Sequence, residues 1–250
     1  MTSRDLGRVE RIGNTVHRPA GPWTPAVHGL LRHLEAVGYE RAPRVLGFDG
    51  QGREVLTWID GASGPDGWAG VVNDRGLIAF ARLLREYHDA VADYRPAGTT
   101  RWSTGTAGPV GDEVICHGDF GPWNVVWRGG RPIGILDWDH ARPARRLHDV
   151  AYALEYAVPF RDDAECVRWL RHPRPPDRRR RLEVFAAAYG VTGTAGLVDA
   201  VIAVQEESVD AVRRLAEQGH EPQATWVAEG RLEELRGRVA WSRANRHSID

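Results

Sequence analysis

Four side chains that could carry out chemistry lie in the stretch from residue 114 to residue 138: His117, Asp119, Asn124 and Asp137. Short apolar runs alternate with glycine-containing turns along this stretch, which predicts a loop followed by a β-hairpin. A hairpin holds its strands side by side, so Asp119, Asn124 and Asp137 can converge although eighteen positions separate the outer two. Carboxylate and amide oxygens are the ligands that a hard cation prefers. The stretch therefore predicts a site for such a cation.

Turn chemistry is the alternative explanation of the same residues. Aspartate and asparagine are common in tight turns because their side chains bond to the nearby backbone. That explanation accounts for the residue types, but not for an asparagine five positions after Asp119 and an apolar-flanked aspartate thirteen positions further on. The complete spacing favours a catalytic loop.

With this spacing the chain resembles the aminoglycoside phosphotransferase-like branch of the protein kinase-like fold, whose catalytic loop has the pattern HxDxxxxN. Here the loop runs from His117 through Asp119 to Asn124, and Asp137 follows across the hairpin. The resemblance implies that Asp119 is the catalytic base and that His117 belongs to the catalytic machinery. It also implies that Asn124 and Asp137 hold Mg²⁺, and that Asp149 braces the loop as structural support.

The resemblance also implies a reaction, the transfer of the γ-phosphate of ATP or GTP to a hydroxyl group of a small molecule. Such a transfer needs a carboxylate that positions and deprotonates the hydroxyl, and oxygen ligands for the Mg²⁺ that bridges the phosphates. The expected partners are therefore a nucleoside triphosphate and a small-molecule acceptor, for which an aminoglycoside or another antibiotic is a candidate. Choline-like alcohols and sugar metabolites are alternative acceptors.

The N-terminal segment, residues 7–18, predicts two strands around a turn at Gly13-Asn14. In the family the second strand carries a lysine that contacts the α- and β-phosphates, and Arg18 takes the corresponding position. The chain has no lysine among its 33 basic residues. Arginine also binds phosphate, as a planar fork instead of a point charge. A solvent-facing arginine on an edge strand is the alternative interpretation.

Two features of the family's nucleotide site are missing from the sequence. A glycine-rich loop should precede the strand of Arg18, but only Leu6-Gly7 remains. The helix predicted over residues 24–37 should carry a glutamate that pairs with the basic residue, but its first half offers His28 instead, and Glu35 lies near its far end. We expect His28 to be a surface residue or one satisfied by its own neighbours.

A second hairpin, in residues 45–59, leads into the segment Thr57, Trp58, Ile59 and Asp60. By resemblance these four residues form the hinge between two lobes, where backbone groups contact the purine base of the nucleotide. Their side chains do not distinguish ATP from GTP. A plain hairpin that leads into a linker is the alternative.

The expected fold is α+β and protein kinase-like, with two lobes. The small lobe, residues 1–60, is a shortened β-rich lobe with one helix that binds the nucleotide. The second lobe, residues 61–250, is mostly helical and contains the catalytic loop and the acceptor site. Apolar periodicity predicts its helices in residues 77–91, 147–158, 178–189, 197–215 and 226–239.

Composition argues against several classes of partner. The net charge of −1 and the isoelectric point near 6.8 give no general attraction to nucleic acid or to anionic membranes. No segment approaches about eighteen consecutive apolar residues, and the N-terminus has no apolar signal region. Cys116 and Cys166 lack metal-binding spacing. We expect a cytoplasmic protein with neither a nucleic-acid nor a membrane partner.

Two other functions fit part of the sequence. One is an HD-type metal-dependent phosphohydrolase, which would use histidine and aspartate ligands. Its candidate ligands are His117, Asp137, His140, His148 and Asp149. Such domains are all-helical, whereas the hairpin here is a β signal. The other is a pseudokinase that binds a nucleotide or ligand without catalysis, since the glycine-rich loop, the lysine and the helix glutamate are absent.

Acidic residues in the C-terminal half could line a cleft for a cationic acceptor. They are Asp162, Asp163, Glu165, Glu206, Glu207 and Asp210. Exposed helix faces explain the same residues equally well. Asp139, close to Asp137, is either a further metal or substrate contact or a simply exposed side chain.

Overall fold

The computed structural model describes residues 9–106 and 108–250, and the chain divides into two compact units. The first unit comprises residues 1–70 and 83–149, and the second comprises residues 71–82 and 150–250. The Leu6-Gly7 remnant of a glycine-rich loop lies outside the described residues. Every residue predicted for catalysis, metal binding or nucleotide binding belongs to the first unit, whereas the acidic residues considered for the acceptor belong to the second. The lobe boundary near residue 60 stays a prediction.

Strands and helices both contribute to the described part of the chain, which confirms an α+β protein. The strands are β1 (Glu10–Ile12), β2 (Thr15–Arg18), β3 (Val45–Phe48), β4 (Glu54–Thr57), β5 (Arg101–Trp102), β6 (Gly105–Thr106), β7 (Val114–Cys116), β8 (Val125–Arg128), β9 (Arg131–Ile135) and β10 (Arg142–Ala144). The α-helices are α1 (Thr24–Ala36), α2 (Asp74–Ala90), α3 (Arg146–Ala157), α4 (Asp163–Trp169), α5 (Arg178–Tyr189), α6 (Leu197–Glu217), α7 (Gln223–Ala228) and α8 (Arg231–Ile249).

The first unit contains a four-stranded antiparallel sheet in the order β1-β2-β4-β3. The turn between β1 and β2 passes through Gly13, whose φ of 60° suits glycine. In the pairing of β2 with β4, Arg18 lies directly opposite Glu54. Helix α1 buries Leu30, Leu31 and other apolar side chains of one face. The register of β2 and β4 therefore places Glu54 beside Arg18.

The stretch from residue 114 to residue 138 contains the predicted loop and β-hairpin, and strand β7 precedes them. Strand β7 pairs with β10, and β8 pairs with β9. The hairpin turn consists of Gly129 and Gly130, with φ values of 58° and 72°. A two-residue turn with positive φ at both positions matches the twist of the strands, and glycine adopts it without strain.

A 3₁₀ helix, Gly64–Val71, follows the segment from Thr57 to Asp60 and lies against the catalytic loop. Just before it, Ala62 and Trp127 exchange backbone hydrogen bonds of 2.8 and 2.7 Å. A Cβ atom placed on Gly67 would lie 2.0 Å from the carbonyl oxygen of Pro122. The close approach at this point therefore requires glycine.

The second unit is helical. Phe80 and Phe185 are buried and meet edge to face, with ring centroids 6.4 Å apart. Arg181 is 5% exposed and donates to the carbonyl oxygens of Val71 (2.6 Å) and Val72 (2.7 Å). The arginine-rich start of α5 thus has a structural role.

Two details differ from the predicted helices. The helix expected over residues 226–239 is two helices, α7 and α8, because the chain turns at Gly230, which has a φ of 82°. Helix α4 and strand β10 have no counterpart among the predicted elements. Within the described residues, no helix combines the length and the apolar character that crossing a bilayer requires.

We predict that Gly67→Ala lowers the free energy of unfolding by roughly 1–3 kcal/mol, because the new methyl group overlaps a backbone oxygen that cannot rotate away. Urea unfolding measures this. Gly50→Ala is the matched control, since a Cβ at Gly50 meets nothing within 4 Å, and we expect a change within about 0.5 kcal/mol there. Equal stability of the two variants would contradict the close packing of the 3₁₀ helix on the catalytic loop.

Candidate active site

One buried carboxylate fixes the backbone of the catalytic loop. Asp149, on α3, is fully buried and accepts hydrogen bonds from the backbone N–H groups of His117 (2.6 Å) and Gly118 (2.9 Å). The Nε2 atom of His88 lies 3.1 Å from one of its oxygens, and the Nδ1 atom of His148 lies 3.7 Å from the other. These contacts tie the backbone of His117 and Gly118 to Asp149.

The ionised state of Asp149 follows from its neighbours. Burial alone would raise its pKa, but the effects of His148 and His88 outweigh burial and hold the pKa below the ordinary value for aspartate.

The position of Gly118 admits only glycine, because a Cβ on it would lie 2.1 Å from the carbonyl oxygen of His140 and its φ is 78°. The glycine between the histidine and the aspartate of the motif is thus required by packing.

Asp119 and Asn124 are in direct contact. The Nδ2 group of Asn124 donates to Oδ2 of Asp119 (2.7 Å) and to its backbone oxygen (2.9 Å). Asn124 is 6% exposed and ends a 3₁₀ turn, Pro122–Asn124, that places it under the loop. Both bonds use the amide nitrogen, so the amide oxygen is the atom that Asn124 can offer a cation. The carboxylate of Asp119 is only partly buried and is held in one orientation.

His117 is buried, and both of its ring nitrogens contact backbone groups. Nε2 lies 2.9 Å from the carbonyl oxygen of Leu136, and the N–H of Asp119 donates to Nδ1 (3.2 Å). This pattern requires the proton on Nε2. His117 therefore ties the loop to Leu136, the residue after β9, and contacts the backbone of Asp119.

Asp137 follows β9 in a left-handed backbone conformation, with φ 58° and ψ 73°. A non-glycine residue in this region is uncommon and costs energy unless its surroundings hold it. The preceding residue, Leu136, donates its N–H to the carbonyl oxygen of Asn124 (2.7 Å). The side chain of Asp137 is 44% exposed. Asp137 therefore directly follows a residue that is hydrogen-bonded to the backbone of Asn124. Asn124 in turn donates to the side chain of Asp119.

Arg18 lies among three carboxylates. Its Nε is 2.5 Å from Glu54, its Nη2 is 2.5 Å from Asp139, and its Nη1 is 3.3 Å from Asp137. Burial alone would lower the pKa of Arg18, but the charges of Asp139, Glu54 and Asp137 raise it above the ordinary value for arginine. Because β2 is an interior strand, the edge-strand interpretation of Arg18 is wrong. Asp139 is an ion-pair partner and not simply exposed.

Glu54 was missed by the sequence analysis. It is 1% exposed, and its second oxygen lies 3.0 Å from Nε2 of His28, which is 2% exposed. His28 is therefore satisfied by its neighbours and is not a surface residue. The sequence shows Glu54 only as a carboxylate at the start of an apolar strand. The pairing of β2 with β4 is what shows that Glu54 faces Arg18.

The segment Thr57, Trp58, Ile59 and Asp60 lines an open cavity of about 740 Å³. The N–H of Trp58 donates to the carbonyl oxygen of Asn14 (2.8 Å), so this N–H is used inside the sheet. The predicted hinge segment therefore borders a cavity large enough for a ligand.

The predicted base-binding and phosphate-binding residues occupy opposite ends of one strand pair. Thr57 pairs with Thr15, and Glu54 pairs with Arg18. Three residues of strand separate the two ends, which is a distance of about 10 Å. The structure does not place Arg18 next to Thr57.

The HD-type phosphohydrolase hypothesis is wrong, because His117 and Asp137 flank a β-hairpin and both nitrogens of the His117 ring contact the backbone. Among the described residues, His88, Cys116 and Asp149 form a buried group close enough to share a metal ion. Burial raises the pKa of the Cys116 thiol well above its ordinary value, and Asp149 already accepts bonds from the loop backbone. This group is a structural core of the first unit.

Arginines engage most of the acidic residues considered for a cationic acceptor. Asp163 lies 2.9 Å from Arg178, Glu165 lies 2.9 Å from both Arg161 and Arg238, and Asp162 accepts from the N–H of Glu165 at the start of α4. Arginine partners also neutralise two carboxylates of α6, those of Glu206 and Asp210. These charges support the helices of the second unit and do not single out a cationic acceptor.

Comparison with known proteins identifies relatives of the chain. Residues 106–190 match the phosphotransferase enzyme family. The trifolitoxin immunity protein of Rhizobium leguminosarum bv. trifolii is 38% identical over 168 residues, and the match covers 65% of this chain and 63% of that protein. The matched segment thus spans less than two thirds of the curated relative.

Solved structures of similar fold have low sequence identity to the chain. The GDP complex of aminoglycoside 2'-phosphotransferase-IIIa has a TM-score of 0.56 at 15% identity, with 91% of this chain and 87% of that chain covered. Amicoumacin kinase in complex with AMP-PNP has a TM-score of 0.55 at 11% identity, with coverage of 93% and 88%. A putative aminoglycoside phosphotransferase from Ralstonia eutropha JMP134 gives 0.57 at 12%, with coverage of 94% and 92%. The predicted resemblance is confirmed: residues 106–190 carry the phosphotransferase family match, on the kinase-like fold of the aminoglycoside phosphotransferases.

Proposed function

We propose that the protein transfers the γ-phosphate of ATP or GTP to a hydroxyl group of a small molecule, with Mg²⁺ as cofactor. The observation that carries the proposal is the contact between Asp119 and Asn124, beside a hairpin that ends in Asp137. A fixed carboxylate next to two groups with metal-binding oxygens is the arrangement that phosphoryl transfer needs.

Asp119 accepts the proton of the acceptor hydroxyl in this proposal. As the proton moves to the carboxylate, the hydroxyl oxygen bonds to the γ-phosphorus, and the bond between that phosphorus and the β–γ bridging oxygen breaks. The nucleoside diphosphate leaves. Asn124 donates to the carboxylate of Asp119, and the N–H of Asp119 donates to His117. Because these two bonds hold Asp119, its carboxylate is oriented before the acceptor arrives.

Asn124 and Asp137 fit a magnesium ion by the chemistry of their donor atoms. The amide oxygen of Asn124 and the exposed carboxylate of Asp137 are hard oxygen ligands, and Mg²⁺ in nucleotide sites takes only one or two such protein groups. When bound, the ion neutralises charge on the phosphates. Asp137 supplies the negative charge of this pair, and Asn124 links it to Asp119.

The donor nucleotide lies along the β2–β4 strand pair in this proposal. The base end is the cavity at Thr57–Asp60, and the phosphate end is Arg18, about 10 Å away along the strands. A nucleoside triphosphate also has its base and its phosphates at opposite ends. The Nη groups of Arg18 then contact the phosphates in the place of the family's lysine.

The acceptor class is an antibiotic or toxin that carries a hydroxyl group. Support comes from the similar proteins, since one relative is named a trifolitoxin immunity protein and one structural neighbour is a complex with kanamycin. Another neighbour is an amicoumacin kinase. Phosphorylation adds about two negative charges to such a molecule, which would change how its target recognises it.

A nucleotide-binding protein without catalysis is the second candidate. The observation that favours it is the contact of Arg18 with Asp137, because the same carboxylate is needed for the metal. Acceptor-dependent and water-dependent turnover of the nucleotide separates the two functions, since the second candidate shows neither.

Asp119→Ala should reduce phosphoryl transfer by about a hundredfold or more, as expected for loss of a positioned general base. Nucleotide affinity should stay near the wild-type value, because the base acts on the acceptor hydroxyl. Turnover and calorimetric binding measure the two effects. Asp112→Ala is the matched control, since its side chain is 75% exposed and pairs only with the exposed Arg145 among the described contacts. Near-normal turnover of a folded Asp119→Ala protein would remove Asp119 from the role of base.

Asn124→Ala and Asp137→Ala should each weaken Mg²⁺-dependent nucleotide binding, and Asp137→Ala should weaken it more because that residue carries the charge. Titration of the nucleotide with and without Mg²⁺ measures the difference. Without the ion, Asp137→Ala should bind the nucleotide at least as well as the wild type, since one carboxylate near the phosphates is gone. An unchanged Mg²⁺ dependence in both variants would show that neither residue holds the ion.

Arg18→Ala should weaken triphosphate binding by roughly tenfold to a hundredfold, the equivalent of one charge-assisted contact. Adenosine or guanosine binding should change little, because the nucleoside has no phosphates. Arg18→Lys should recover part of the loss, since the point charge survives and the fork does not. Arg53→Ala, at the residue just before β4 and paired with Glu10 and Asp49, is the control. Equal triphosphate affinity in wild type and Arg18→Ala would assign Arg18 to a purely structural ion pair.

A further inference from the structure

Arg18 is held by a carboxylate from the sheet and not from a helix. Glu54 stands directly across the β2–β4 pairing from Arg18, and its Oε1 accepts from Nε at 2.5 Å. The side chain of Glu54 is 1% exposed, whereas those of Asp137 and Asp139 are 44% and 31% exposed. Of these three carboxylates, Glu54 is the one fixed inside the protein.

The helix contributes a histidine to the same cluster. His28, on α1, places Nε2 3.0 Å from Oε2 of Glu54, and its side chain is 3% exposed. Each oxygen of Glu54 therefore has its own partner, Arg18 on one side and His28 on the other. A buried carboxylate whose two oxygens are both bonded has little freedom to rotate.

This arrangement determines which atoms of Arg18 face the site. Because Nε is bonded to Glu54, the terminal nitrogens Nη1 and Nη2 are directed at Asp137 and Asp139. The two terminal nitrogens form the fork that can bind two phosphate oxygens at once. A lysine has one nitrogen and could not contact Glu54 and present a fork at the same time.

We propose that Glu54 and His28 are the positioning residues for Arg18, with Glu54 binding Nε and His28 fixing the orientation of Glu54. They take the place of the helix glutamate that the sequence lacks. This inference rests on the proposed function, because it assigns the pair a purpose in binding the donor phosphates. Without Glu54, nothing holds Nε, so the guanidinium can rotate and its two terminal nitrogens are no longer fixed in the direction of the phosphates.

The test is a double-mutant cycle on the whole 250-residue chain, with binding of AMP-PNP or its guanine analogue measured by calorimetry. Glu54→Gln keeps the shape of the side chain and removes its charge, and we expect it to weaken triphosphate binding by about fivefold or more. In an Arg18→Ala background the same change should alter affinity by less than about twofold, because no guanidinium remains to be positioned. Nucleoside binding should be unaffected in all three variants.

Variants of Glu10 and His28 complete the test. The Glu10 variant controls for a general effect on the sheet, and the His28 variants test the second partner of Glu54. Glu10→Gln removes a carboxylate of the same sheet, which pairs with Arg53 and not with Arg18, and should leave triphosphate affinity unchanged. His28→Leu removes the second partner of Glu54 and should weaken triphosphate binding in the same direction as Glu54→Gln. His28→Gln restores an N–H donor and should recover part of the loss. The His28 variants carry the test if Glu54→Gln does not fold.

The outcomes separate this inference from the proposed function. A wild-type protein that binds neither triphosphate overturns both. Triphosphate binding by the wild type, with independent and additive losses from Glu54→Gln and Arg18→Ala, overturns the positioning role alone. An equal loss of nucleoside and triphosphate affinity in Glu54→Gln also overturns it, since that pattern marks a disturbed fold. Non-additive losses confined to the triphosphate establish it.

Discussion

The catalytic loop depends on one buried negative charge. An ionised carboxylate inside a protein is costly unless hydrogen bonds satisfy both of its oxygens. Asp149 meets this condition with two loop N–H groups, one on each oxygen, and with His88 beside them. The loop that bears Asp119 can therefore not relax without exposing an unsatisfied buried charge. The same contact joins α2, α3 and the loop, so that the position of the proposed base follows from the folding of the first unit.

A second buried carboxylate organises the other side of the proposed site. Glu54 requires a positive partner, and Arg18 provides it from the neighbouring strand. The chain has no lysine, and the guanidinium of Arg18 does more than neutralise the charge of Glu54. It has Nε on one edge and the Nη nitrogens on the other, so it can bind two groups at once. One edge binds Glu54, and the other reaches Asp137 on the catalytic hairpin. A lysine at position 18 could not make both contacts. The geometry around Glu54 and Asp137 therefore suits arginine.

The local parts of this architecture could be predicted from the sequence, and the long-range parts could not. The hairpin of β8 and β9 follows from two short apolar runs on either side of two adjacent glycines. Asp119 and Asn124 are only five positions apart, so their contact depends on local structure alone. The pairing of β2 with β4 is different, since it joins residues 36 positions apart. Without that register, Glu54 is an isolated acidic residue and His28 is a histidine with no partner. Strand β10 was missed because its proline at position 143 is unfavourable in a strand.

The charges around Arg18 also connect the two proposed ligands of the site. Three carboxylates surround one guanidinium, which leaves an excess of negative charge beside the catalytic loop. Such an excess attracts a divalent cation and repels phosphate groups. Neutralisation of Asp137 by a cation would weaken its hold on the Nη1 atom of Arg18, and that atom then becomes available to a phosphate. Cation and nucleotide would therefore each favour the binding of the other, through a shared carboxylate and without any change of the fold.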